Sequence, residues 1–149
     1  MSSKNLTVFI DADGCPVVNE TAKICKKYNV ECVIICDTSH LINISGAKTI
    51  VVEKGPDSAD FKLVNSVKSG DICITQDYAL AAMCLAKKAR VINQNGMEYT
   101  ESNIDGLLFL RYVSKKIRSA GGRIKGPSKR TPEQTQNFIK TLEKMLQSE

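Results

Sequence analysis

The sequence predicts an α/β fold, a mostly parallel sheet covered by helices on both faces. Short apolar runs recur along the first half of the chain: LTVFI at 6–10, CVIIC at 32–36, TIVV at 49–52 and DICIT at 71–75. A strand without polar alternation is one buried on both faces, as parallel strands are. Segments of helical periodicity separate these runs, giving the alternation of a βαβ architecture. Aspartates also follow several of the runs, where the carboxyl ends of parallel strands would lie.

Each element has its own signal. After the first strand, Gly14-Cys15-Pro16 bends the chain, and Pro16 suits the first turn of a helix. Val17, Val18, Thr21, Ala22, Cys25 and Tyr28 then keep helical spacing. Asp57-Ser58 opens a second helix that carries Phe61, Val64 and Val67 toward the core, and Gly70 ends it. Asp77 opens a third, with Leu80, Ala81, Cys84 and Leu85 on one face. VIN at 91–93 is a short fifth strand, and Asn95-Gly96 marks a turn. A long helix is expected from about Ser102 to Ser119, with Ile104, Leu107, Leu110, Val113 and Ile117 toward the core. The last helix begins at Thr131-Pro132-Glu133-Gln134, a capping-box signature, and carries Phe138, Ile139, Leu142, Met145 and Leu146 on one face.

At 149 residues the chain is expected to be one domain, with an α/β core over 1–100 and C-terminal helices with a basic loop over 101–149. Its 42% hydrophobic and 25% charged residues are ordinary for a globular protein. No signal core opens the sequence and no run approaches the ~20 apolar residues of a membrane span, so the expected location is the cytoplasm. Cys25, Cys32, Cys36, Cys73 and Cys84 fall on apolar faces or in strands and read as small buried hydrophobes. The role of Cys15 stays open.

The acids raise the functional question. Asp11 and Asp13 follow the first strand, Asp77 follows the fourth, and Asp57 and Asp60 follow the third. In a sheet of order 3-2-1-4-5 the first and fourth strands are neighbours, so Asp11, Asp13 and Asp77 meet beside the topological switch point. Carboxylates this close raise one another's pKa unless a cation neutralises them. Oxygen-only ligands suit Mg²⁺ or Mn²⁺. Helix capping accounts for Asp57 and Asp77 taken singly, and less readily for Asp13, and Asp60 could be the returning partner of a capping box with Asp57. Capping does not account for Asp11, nor for the gathering of acids at one edge.

Asp11-Ala-Asp-Gly-Cys-Pro-Val17, Asp57-Ser-Ala-Asp60, Thr75-Gln-Asp-Tyr-Ala-Leu-Ala-Ala82 and Gly122-Arg-Ile-Lys-Gly-Pro127 resemble the YaiI/YqxD family of bacterial proteins across nearly the whole chain. Gly14 stands where Ala is commoner and Ala79 where Pro is commoner. That family is usually grouped with PIN-like domains, so the resemblance implies a three-layer PIN-like (Rossmann-like) fold and a metal-dependent nuclease. It implies Asp11, Asp13, Asp60 and Asp77 as catalytic, metal-holding residues for Mg²⁺ or Mn²⁺. Asp57, Thr75 and His40 would stand around them. The expected chemistry is phosphodiester hydrolysis, with RNA as the expected substrate.

Net charge is +5, and it is regional. Eight of the 21 basic residues, and no acid, lie between Gly106 and Pro132, leaving 13 bases against 16 acids elsewhere. Arg111, Lys115 and Arg118 form one stripe of the long helix, and Arg123, Lys125, Lys129 and Arg130 follow in the loop. This is either a solvated basic face or the electrostatic footprint of a nucleic-acid backbone. With Tyr112 the one stacking candidate noted, contact through phosphates with little sequence reading is expected. Two other readings stand beside the nuclease. One is an RNA- or metal-binding protein without turnover. The other is a haloacid-dehalogenase-like phosphatase, whose opening also runs strand-Asp-x-Asp-Gly, with Thr38 or Ser39 as its hydroxyl; here only Asp77 follows the later strand. The sequence does not fix the oligomeric state.

Overall fold

The computed structural model describes residues 5–38, 42–55, 58–123 and 129–147. Its six strands are β1 (Thr7–Asp11), β2 (Glu31–Asp37), β3 (Lys48–Val52), β4 (Ile72–Ile74), β5 (Arg90–Ile92) and β6 (Glu98–Tyr99). The helices are α1 (Val18–Lys27), α2 (Ser58–Ser66), α3 (Tyr78–Ala86), α4 (Glu101–Ser119) and α5 (Pro132–Gln147). The sheet order is β3-β2-β1-β4-β5-β6, parallel throughout except for the antiparallel β5–β6 pair.

The strands are continuously apolar because successive side chains enter two different cores. Val8 and Ile10 of β1, with Cys32, Ile34 and Cys36 of β2, meet α1 and α5 on one face. Phe9, Val33, Ile35 and Cys73 meet α2, α3 and α4 on the other. On the first face, Val18, Ala22 and Cys25 of α1 pack with Phe138, Leu142, Met145 and Leu146 of α5. The Thr131–Gln134 capping box starts α5 as expected: Gln134 N–H donates to Thr131 Oγ1, and Gln134 Oε1 accepts from Thr131 N–H. All six thiols are free, and five are buried. Cys25–Cys32 and Cys73–Cys84 are hydrogen-bonded thiol pairs, and that contact together with burial holds Cys25 and Cys73 above the ordinary thiol range.

Four local expectations are corrected. Strand β6 adds a sixth member to the expected five; two residues are too few to display an alternation. Its turn is organised by Asn93, whose Oδ1 accepts from the N–H groups of Asn95 and Met97, both at 2.9 Å. Helix α1 begins at Val18 with no side-chain cap, so Pro16 lies before it and Asp13 does not cap it. Phe61 of α2 is turned outward, while Leu63 and Val67 are buried. In α4, Ile104 is buried and Leu107 and Leu108 pack on the core, but Leu110 and Ile117 face solvent.

Candidate active site at the carboxyl edge of the sheet

From β1 the chain winds outward through β2 to β3, then crosses back to place β4 on the other side of β1. The loops leaving β1 and β4 therefore diverge, which opens a crevice at their carboxyl ends. A cleft of about 610 Å³ lies there, lined by Asp11, Asp13, Asp37, Asp60, Asp77 and Arg111 among other residues. Asp11 ends β1, and Asp13 sits on the exposed turn beyond it, where Gly14 adopts φ +67°. Asp37 ends β2, Asp60 lies in the first turn of α2, and Asp77 precedes α3.

Thr75 joins the two strands that form the switch. Its buried hydroxyl donates to Asp11 Oδ2 at 2.8 Å and accepts from the Asp77 N–H at 3.0 Å. With its proton and one lone pair engaged, this hydroxyl positions the acids. Gln76 ties the same two loops together, its Nε2 donating to the Gly14 carbonyl at 2.8 Å. Tyr99 donates from its hydroxyl to the Thr75 carbonyl at 3.1 Å, so β6 also braces this strand end.

Asp77 serves as the N-cap of α3, its Oδ1 accepting from Ala79 N–H at 2.9 Å and Leu80 N–H at 3.3 Å. Arg111 of α4 approaches the same oxygen, with Nη1 at 3.6 Å. Capping and cleft-lining are thus both true of Asp77, on a carboxylate with a second oxygen. Asp11 differs. Burial pushes its pKa up to about 6, the Thr75 hydrogen bond opposes that rise, and the charges of Asp60, Asp77 and Asp13 add to it.

The cleft suits a hard cation in donor type, because its acids supply only oxygen ligands and their mutual repulsion is what a divalent ion relieves. Among the described residues, however, no three His, Cys, Asp or Glu side chains converge closely enough to hold one ion. Asp57 and His40 lie outside the described residues, as does Lys125. Asp37, Gln76 and Tyr78 line the cleft without having been singled out from sequence. Asp37 carried the signal that identified Asp11, an acid closing a buried strand.

The basic residues divide. Arg111 faces the acids. Lys115, Arg118, Arg123 and Lys129 are exposed. Arg130 is committed within the protein: its guanidinium donates to Thr135 Oγ1 at 3.1 Å, Asn95 Oδ1 at 2.7 Å and the Gln94 carbonyl at 2.8 Å. Cys15, beside the Asp11 turn, has its thiol pushed up to about 11, chiefly by burial. It is not a thiolate nucleophile at neutral pH.

The profile of the family described as "Uncharacterized BCR, YaiI/YqxD family" matches residues 9–148. The chain belongs to the YaiI/YqxD family. A UPF0178 protein of Exiguobacterium sibiricum is 47% identical over 95% of this chain and 96% of its own length. One from Ruminiclostridium cellulolyticum is 47% identical over 92% of this chain and 90% of its own length. One from Clostridium kluyveri is 40% identical over 95% and 93%. No solved structure gives a significant match. The YaiI/YqxD match spans both the acidic edge and the C-terminal helices. No helix of the described residues is long and apolar enough to cross a membrane.

Proposed function

We propose that this YaiI/YqxD protein is a Mg²⁺- or Mn²⁺-dependent nuclease of the PIN-like kind, hydrolysing phosphodiester bonds in RNA. One observation carries the reading: five aspartates line the switch-point cleft, against Arg111 as the one cation among its described lining residues. Such a cleft repels a phosphate. A phosphodiester enters it only with a cation interposed. Asp11, Asp13, Asp60 and Asp77 would hold that cation, no more than two of them directly and the others through water, and it would supply a water of lowered pKa and neutralise charge on the phosphate. Thr75 fixes Asp11 relative to the Asp77 backbone. Arg111, which lines the cleft, would donate to a phosphate oxygen, and exposed Lys115, Arg118, Arg123 and Lys129 would contact the remaining backbone.

The test is cleavage of single-stranded and structured RNA with Mn²⁺, wild type against Asp11→Asn. A rate loss of about 100-fold or more is expected. Equal cleavage by the variant removes this site as the catalyst. RNA binding with Mn²⁺-dependent stabilisation and no cleavage across a broad substrate panel replaces the nuclease with a binding protein. An aspartyl-phosphate trapped with a small phosphate ester replaces it with a phosphatase.

A further inference from the structure

Helix α4 presents two opposed faces. Ile104, Leu107 and Leu108 hold its first half to the core. Continuing the same line at helical spacing, Arg111, Lys115 and Arg118 take over, with Arg111 reaching Asp77 in the cleft. Most apolar residues of the second half are therefore on the other side, turned away from the domain, with Val113 half-buried among them. Phe109 is 63% exposed, Leu110 60%, Tyr112 58% and Ile117 41%. A helix end carrying only solvated polar groups would need none of them.

We infer that this outer face of α4 pairs with α4 of a second copy of the chain, antiparallel, about a two-fold axis at Val113. Phe109, Val113 and Ile117 follow one another at intervals of four, and Gly106, Val113 and Ala120 at intervals of seven, so all five share one seam. The seam contains no charge. It is also self-complementary in size when reversed about Val113. Gly106 then meets the partner's Ala120, and Phe109 meets the partner's Ile117. Leu110 meets the aliphatic stem of the partner's Lys116. A two-fold interface requires this, each patch being its own complement.

Gly106 supports the pairing independently. It lies inside a 19-residue helix, with open space among the described residues within 4 Å of where a Cβ would stand. Glycine weakens a helix interior relative to alanine, and no close neighbour among the described residues accounts for it. A second helix crossing closely at that point does.

Charge selects the direction. Antiparallel packing brings Asp105 of one copy to the partner's Gly121, next to the partner's exposed Arg123. Parallel packing would set Lys116 at the rim against the same residue of the other copy. Given the exposures of its aromatic and aliphatic residues, the seam offers on the order of 500 Å² per copy. Symmetry doubles this to about 1,000 Å², where specific interfaces begin. Lys116, whose ammonium stands 5.5 Å from the Tyr112 ring centre, lies at the rim. The basic line of Arg111, Lys115 and Arg118 stays uncovered, with Arg111 at the cleft.

Sedimentation of the full chain at micromolar concentration tests this without reference to activity. Wild type is expected to be a dimer. Phe109→Lys is expected to raise the dimer dissociation constant about 100-fold or more, with the circular dichroism unchanged because the side chain is exposed. Gly106→Ala is expected to raise the melting temperature of the monomer yet weaken the dimer about tenfold. A monomeric wild type overturns the inference, as does a dimer that tolerates both substitutions. A monomer whose RNA affinity collapses in Phe109→Lys would also overturn it, by making the same face a stacking surface.

Discussion

Asp11 and Asp71 stand at opposite ends of the sheet, and their surroundings separate a site carboxylate from a structural one. Asp71 precedes β4, is buried, and accepts from the Thr7 N–H at 3.0 Å and the Lys68 N–H at 2.8 Å. Each oxygen has a backbone donor, so the carboxylate closes one end of β1 and the turn before β4. Among the described residues Asp11 has one side-chain donor, the Thr75 hydroxyl, and its other electrostatic neighbours are acids. A protein stabilises a buried carboxylate by surrounding it with donors. Where acids gather instead, each disfavours the ionised form of the others.

Substitution should expose the difference, most strongly in turnover. In the RNA assay with Mn²⁺, Asp11→Asn is expected to lose at least about 100-fold in rate. Asp71→Asn, once folded, is expected to retain activity within about threefold. The next effect is in stability against pH. Asp11 is raised from 3.8 to about 6, so its neutral form is favoured on folding. Its stabilising contribution is complete below pH 4 and is lost as pH rises through 6. Denaturant titrations should therefore show Asp11→Asn gaining on wild type between pH 4 and 7, by roughly 3 kcal/mol at the plateau. Mn²⁺ should narrow that gap by raising the melting temperature of wild type alone. A gap independent of pH would show that the acids do not strain the fold.

At the other end of the sheet, Asp71→Asn should cost about 1–3 kcal/mol at pH 7, since an amide cannot accept from both N–H groups through two oxygens. Thr75→Val should cost about 1–2 kcal/mol by stranding the Asp77 N–H. It should also move the Asp11 titration further upward, because the lost hydrogen bond opposes that rise; the carboxyl signal by NMR reports it directly. The smallest effect is expected from Lys115→Ala with Arg118→Ala. Stability should change by less than about 0.5 kcal/mol, while the salt dependence of RNA binding should become shallower by about one unit of slope per phosphate contact removed.

Much of this was legible in the sequence for a physical reason. A parallel strand must be apolar on both sides, so β1, β2 and β4 announce themselves in composition, and the acids closing them fall at one edge by topology alone. Glu98–Tyr99 is too short to show any period. The outer face of α4 is not legible in the sequence because the helix carries two stripes that could face inward. Ile104 and Leu107 belong to both, and only the packing on α3 and the reach of Arg111 decide between Leu110 and Arg111. Arg130 could not be told from its exposed neighbours, since its partners Asn95 and Gln94 are more than thirty positions away.

The Thr75 hydroxyl also gives the cleft a direction for protons. The Asp77 N–H holds one of its lone pairs, and among the described residues its only acceptor is Asp11 Oδ2. Its own hydrogen must then point at that oxygen. When Asp11 carries a proton, placing the acid hydrogen on Oδ1 keeps this hydrogen bond intact, whereas placing it on Oδ2 breaks it. The two oxygens of one side chain cease to be equivalent. Asp11 thus becomes a lopsided acid, favouring the atom that faces away from Thr75.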